Sequence, residues 1–193
     1  MEKIVLASNN KHKIKEFKEI LDNVEILTLN DIGFYEEIEE NGNTFFENAM
    51  IKAKTVCNFL RSKNLDYSVL ADDSGLCCLG INGEPGIFSA RYSGVHDDSK
   101  ANRKKLIDNL KGKDRTAYFT CNIVFYRIDG TYEYSDGRTY GKIINEELGD
   151  TSFGYDCIFL SDDLNKTFGE ATQEEKNSVS HRYRAILGIK DKL

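Results

Sequence analysis

Ile4-Val5-Leu6-Ala7-Ser8-Asn9-Asn10-Lys11-His12-Lys13-Ile14-Lys15-Glu16-Phe17 is the stretch on which the fold turns. Four consecutive apolar residues read as a strand buried on both faces. Apolar residues at 14, 17, 20 and 21 then follow the spacing of one helix face. A strand, loop and helix therefore open the chain, the unit from which α/β folds are built. Working outward, Val24 to Leu29 predicts a second strand. Thr44 begins a longer helix with Glu47 completing a capping box, and Phe46, Ala49, Met50, Ala53, Cys57 and Leu60 on one face. Strand Tyr67 to Ala71 follows, then helix Ser99 to Leu110. Strand Thr116 to Arg127 is turned at Asp129-Gly130 into strand Thr131 to Tyr140. A short strand at Cys157 to Leu160 and a terminal helix at Ser180 to Ile189 complete the reading. The fold class expected is α/β: a mixed sheet with flanking helices, one domain over residues 1–193, in two lobes around a cleft.

Ala71-Asp72-Asp73-Ser74-Gly75 is the chemically unusual segment. Adjacent carboxylates at a strand end repel one another, and one pKa rises unless a metal or a basic group compensates. Magnesium suits such a pair, because it prefers carboxylate oxygen, water and phosphate. The alternative is ordinary loop chemistry, with Asp72 capping a Ser-Gly turn and Asp73 in water.

Composition excludes several classes of function. With 193 residues, 40% hydrophobic and 30% charged, the chain is globular in composition. Its 32 acidic and 26 basic residues give a net charge of -6, which argues against a surface for broad nucleic-acid contact. A small anionic ligand on a local basic site is compatible with that charge. The five cysteines form no CxxC pair, and with three histidines they offer no zinc array and no disulfide framework. No apolar run reaches signal-peptide or membrane-spanning length, so a cytoplasmic protein with reduced thiols and no membrane partner is expected. The basic run Lys100, Arg103, Lys104, Lys105, Lys111, Lys113 and Arg115 reads as a solvated face.

Further segments carry candidate chemistry. Ser8-Asn9-Asn10-Lys11-His12-Lys13 lies between strand and helix, where free N–H groups and the helix dipole favour an anion, and the two lysines strengthen that. It lacks the glycines and the Gly-Lys-Ser/Thr ending of a Walker loop. Glu36, Glu37, Glu39 and Glu40 precede the capped helix, with Lys52 two turns inside it; one glutamate could join the Asp72/Asp73 pair. The glycine-dense loop Gly80 to Gly94, with Arg91, suits a tight turn beside a ligand or a structural turn. Phe153-Gly154-Tyr155-Asp156 offers a platform for stacking a base, or core packing. Glu174 to Arg182 supplies a cation and hydrogen-bond donors ahead of the last helix.

In order and together, six segments resemble the inosine/xanthosine triphosphate pyrophosphatase family along essentially the whole chain. They are Ser8 to Lys13, Gly42 to Ala49 with Lys52-Ala53, Ala71 to Leu76, Pro85 to Tyr92, Phe153 to Asp156, and Lys176 to Arg182. The resemblance implies a magnesium-dependent hydrolase that splits deaminated purine nucleoside triphosphates (ITP, dITP, XTP) into monophosphate and pyrophosphate. It makes the cleft a nucleotide-binding one and implies a homodimer. By that likeness Ser8, Asn9, Asn10, Lys11, His12 and Lys13, with Lys52, hold the phosphate chain, and Ser74 touches substrate. Phe153, Gly154, Tyr155 and Asp156 form the base-stacking segment, and Lys176, His181 and Arg182 surround the purine. Glu40, Asp72 and Asp73 are the implied metal residues, Asp73 doubling as general base. Cys157 stands where the family usually has proline, and His12 where it often has glycine.

Overall fold

The computed structural model describes residues 2–150 and 153–193. Among them, β1 (Lys3–Leu6), β2 (Glu25–Leu27), β3 (Ser68–Cys78), β4 (Thr116–Tyr126), β5 (Tyr132–Ile143) and β6 (Phe159–Ser161) form one sheet in the order β2-β1-β3-β4-β5-β6. β1 pairs parallel with both β2 and β3, and β5 pairs antiparallel with β6, so the sheet is mixed as expected. The parallel pairs follow from the helical crossovers α1 (Lys11–Ile20) and α2 (Phe45–Ser62). α3 (Ser99–Asn109), α4 (Gln173–Val179) and α5 (His181–Leu187) complete the helices. No helix among the described residues is long and apolar enough to cross a membrane.

The chain divides into two compact units. The first comprises Met1–Asp73, Cys121–Gly137 and Tyr183–Leu193; the second comprises Ser74–Thr120 and Arg138–Arg182. In the first unit alternate strand residues feed two cores. Ile4, Leu6 and Leu70 pack with Phe17 of α1 and Ile186 of α5, whereas Val5, Ala7, Val69 and Ala71 pack with Ala49, Ala53 and Val56 of α2. This is the period-two pattern of a strand covered on both faces. The second unit has its own core around Leu76, Leu106, Phe119, Phe159 and Phe168.

Several elements differ from expectation. β3 does not end at Ala71; it runs through Asp72, Asp73, Ser74 and Gly75 to Cys78. Turn-forming composition is overridden here because the strand lies inside the sheet, between β1 and β4, where backbone pairing decides. Glu174 to Val179 is helical, with Thr172 and Glu175 forming a reciprocal capping box. β6 starts only at Phe159, after a 3-10 turn at Asp156–Ile158. At α2, Thr44 accepts from Glu47 N as expected, but the Glu47 carboxylate grips Asn43 N at 2.6 Å. The basic run is only partly solvated: Arg103 is buried, and Lys105 lies over the Tyr92 ring.

Candidate functional site

The strand alternation that builds the first unit also separates its two aspartates. Asp72 shares the face of Leu70, toward α1, and its carboxylate pairs with Lys13 at 2.9 Å while Cys121 Sγ donates at 3.8 Å. Asp73 shares the face of Ala71, toward α2. There Asn48 Nδ2 donates to it at 3.0 Å, and Lys52 Nζ lies 3.9 Å away. The pair is therefore no turn, and mutual repulsion does not dominate, because each carboxylate has its own lysine.

Lys52 also meets Glu40 Oε2 at 2.8 Å, so two carboxylates from distant segments converge on one buried ammonium. Glu40 is half-buried, whereas Glu36, Glu37 and Glu39 are exposed, which singles out one member of the acidic run. Burial pushes the Asp73 carboxyl above its usual range; Lys52 and Lys13 oppose that rise, and Glu40 adds to it.

Asn48 is a residue that the sequence reading did not place in the site. It is almost fully buried and accepts from Gly42 N at 2.8 Å while donating to Asp73, so it ties the Gly42 loop to the carboxylate. The signal was available in the sequence. Asn48 and Lys52 stand four residues apart on the stripe that continues through Val56 and Leu60, and a polar residue in an apolar stripe needs a partner.

The α1 end of the same unit is shaped by Asn10, the N-cap, whose Oδ1 accepts from His12 N and Lys13 N at 3.0 and 3.2 Å. Asn10 N in turn donates to Ser8 Oγ at 3.2 Å. Lys11, His12 and Lys13 occupy the first turn, which holds no acidic residue. Cations there oppose the helix dipole and favour an anion at this end. Asn9, Lys11 and His12 are exposed, while Ser8, Asn10 and Lys13 are half-buried.

The second unit gathers the remaining candidates. Lys176 on α4 pairs with Asp156 at 2.7 Å, both buried, and its ammonium lies 5.8 Å from the Phe153 ring centre and 5.7 Å from that of Phe168. His181 stacks on Phe119 at 5.0 Å with planes 16° apart. Arg182 Nη2 donates to Ser74 Oγ at 3.2 Å. Of the two aromatics beside Gly154, Phe153 is half-buried, but Tyr155 is buried with its hydroxyl donating to Ser89 O at 2.8 Å. Tyr155 thus anchors the segment, while the half-buried Phe153 ring has the Lys176 ammonium beside it. Arg91 lies over the exposed Phe88 ring at 5.2 Å.

Among the described residues no group of three or more Asp, Glu, His or Cys side chains is gathered to hold a metal. The two-carboxylate set of Glu40 and Asp73 still suits magnesium, which takes one or two carboxylates and completes its shell with water and substrate phosphate. Asp72, on the opposite face against Lys13, is not brought to that set.

The chain matches the Ham1 family model over residues 4–192. A Clostridium perfringens protein described as dITP/XTP pyrophosphatase is 45% identical, covering 100% of this chain and 98% of its own length. A Campylobacter jejuni protein of the same description is 44% identical over 95% of this chain and 93% of its own. The solved structure of the Staphylococcus aureus Ham1 protein superposes with a TM-score of 0.86 at 38% identity, covering 99% of this chain and 97% of that one.

Proposed function

The chain belongs to the Ham1 family, and on that premise we propose that it is a nucleoside-triphosphate pyrophosphatase that hydrolyses ITP, dITP and XTP to the monophosphate and pyrophosphate. The observation that carries this reading is the convergence of Glu40 and Asp73 on Lys52, beside a cation-rich helix start. Phosphoryl chemistry needs positioning and charge stabilisation more than covalent steps, and such a set supplies both.

In this proposal Ser8, Asn10 and Lys13, with Lys52, hold the phosphate chain and stabilise the departing pyrophosphate. Asp73 accepts the proton of the attacking water. Asn48 keeps its carboxylate aimed. Glu40 and Asp73 would hold magnesium, which when bound neutralises phosphate charge and acidifies water. Phe153 stacks on the purine, and Lys176, His181 and Arg182 supply the polar contacts. A guanidinium only donates, so Arg182 suits the 6-oxo group of a deaminated purine and meets a donor in adenine. An unpaired buried donor costs about 1–3 kcal/mol, or roughly ten- to hundredfold in discrimination per contact.

The test is product analysis on ITP with magnesium. Pyrophosphate and IMP are expected; orthophosphate would make the chain a phosphatase, and no turnover would make it a nucleotide-binding regulator. A chelator should abolish turnover and added magnesium restore it. The same reading places the enzyme in the cytoplasm as a homodimer, which light scattering would report as twice the 22.0 kDa chain mass.

A further inference from the structure

α3 is a basic helix whose lysines behave as surface residues, yet one of its cations does not. The Lys104 side chain is 79% exposed and pairs with its neighbour Asp108. Arg103, one position earlier, is 4% exposed. A buried guanidinium is costly unless its donors are paired. Arg103 Nε and Nη2 donate to the two carboxylate oxygens of Glu147 at 2.8 and 3.1 Å, a two-pronged pairing that fixes the plane of the group. Nη1 is then aimed at the Gly154 carbonyl, to which it donates at 2.9 Å.

Gly154 lies in the Phe153-Gly154-Tyr155-Asp156 segment with φ 54, while a Cβ there would meet nothing within 4 Å. Glycine is therefore needed for the left-handed backbone and not for space. The neighbours of this turn are tied elsewhere: Tyr155 to Ser89 O, Asp156 to Lys176, and Asp156 N to Phe153 O at 3.1 Å. The grip of Arg103 on Gly154 acts at the point where the backbone reverses, one residue from the Phe153 ring.

We propose that Arg103, oriented by Glu147, is a positioning residue for base recognition: it locks the Gly154 turn so that Phe153 is presented to the purine ring. The proposal rests on reading this segment as the base-binding one. It predicts that loss of the grip weakens recognition of the base and leaves the triphosphate contacts alone. Lysine cannot replace Arg103, since a single ammonium lacks the planar fork that serves a carboxylate and a carbonyl together.

The experiment compares Arg103→Lys with the parent enzyme, using ITP as substrate and inorganic tripolyphosphate, which carries no base, as competing inhibitor. Loss of one charge-assisted hydrogen bond should raise the KM for ITP about tenfold with kcat within about threefold, and tripolyphosphate inhibition should be unchanged. Glu147→Gln, which keeps the arginine, should shift KM in the same direction by less, and it stands in if Arg103→Lys fails to fold. An unchanged KM in both variants would overturn the proposal, as would KM and tripolyphosphate inhibition weakening in parallel. Phe153→Ala separates the two readings. If it raises the KM for ITP while the Arg103 and Glu147 variants do not, the positioning role alone fails. If it leaves KM unchanged, the base-binding reading fails and takes the proposal with it.

Discussion

At the scale of single residues, Asp73 shows how one side chain can be set against stability. Burial holds its carboxyl above the ordinary range, so ionising it in the fold is less favourable than in the unfolded chain. A raised carboxyl means that the folded state binds more protons, and stability falls as pH climbs from the ordinary value through the folded one. Asp73→Asn removes that loss. The metal-free variant should melt above the parent at pH 7 and level with it near pH 3, while ITP turnover falls by at least about a hundredfold. A variant that melts with the parent at both pH values, or one that keeps its turnover, would contradict this account. Gly42 makes a second case. A Cβ there would lie 2.7 Å from Glu47 Cβ and 2.8 Å from Asn48 Oδ1. Gly42→Ala should cost about 1–3 kcal/mol and lower the melting temperature by roughly 2–4 °C per kcal/mol. It should also lower kcat, because Asn48 is displaced from Asp73. Glu40, Lys52 and Asp73 were legible as residue types from the sequence. Asn48 was legible only as a polar residue in the apolar stripe of α2; its partner was not, because that depends on which neighbour fills the inside of α2.

At the scale of elements, β3 and α4 carry the largest differences from the sequence reading. Asp72-Asp73-Ser74-Gly75 has the composition of a turn, and only pairing inside the sheet keeps it extended. The extension has a chemical consequence, since a strand sends neighbours to opposite faces: Asp72 goes to Lys13, Asp73 to Lys52. α4 is short, with too few apolar residues to show helical periodicity, but it has a strong start signal in Thr172 and Glu175. That cap supports the helix bearing Lys176. Thr172→Ala should destabilise by about 1 kcal/mol and raise the KM for ITP more than it lowers kcat. Circular dichroism melts and steady-state kinetics check both halves; a change in kcat alone would place α4 outside substrate binding.

At the scale of the whole molecule, buried groups that hold their protons to high pH are expected to weaken the fold in alkali. Burial, with the Glu84 carboxylate alongside, pushes the Tyr92 hydroxyl up to about 12, and burial pushes the Cys78 thiol up to about 12. An unfolded tyrosine ionises near 10, so above that pH the unfolded chain sheds a proton that the fold retains. Stability then falls at up to about 1.4 kcal/mol per pH unit per group until the folded value is reached. Tyr92→Phe should be less stable than the parent at pH 7, since Tyr92 donates to Glu84 and accepts from Asn109, both at 2.7 Å. It should lose less between pH 10 and 12. Urea unfolding across that range measures the slope, and parallel slopes would show that Tyr92 does not govern it.

The sequence by itself determined the mixed α/β class, the order of the described strands and helices apart from α4, and the residue types of the site apart from Asn48. Periodicity, caps and turn residues are local properties, and each sits in a window of a few residues. Tertiary structure alone decided which charges meet. Lys52 lies twelve residues from Glu40 and twenty-one from Asp73 in the sequence. Arg103 reaches Gly154 across fifty-one residues, as a buried cation in a run whose composition indicated a solvated face. Strand pairing and helix packing bring such groups together, and burial then makes their partners obligatory. In the same way the aspartate pair became two separate carboxylates, because the sheet, not the local sequence, kept β3 extended.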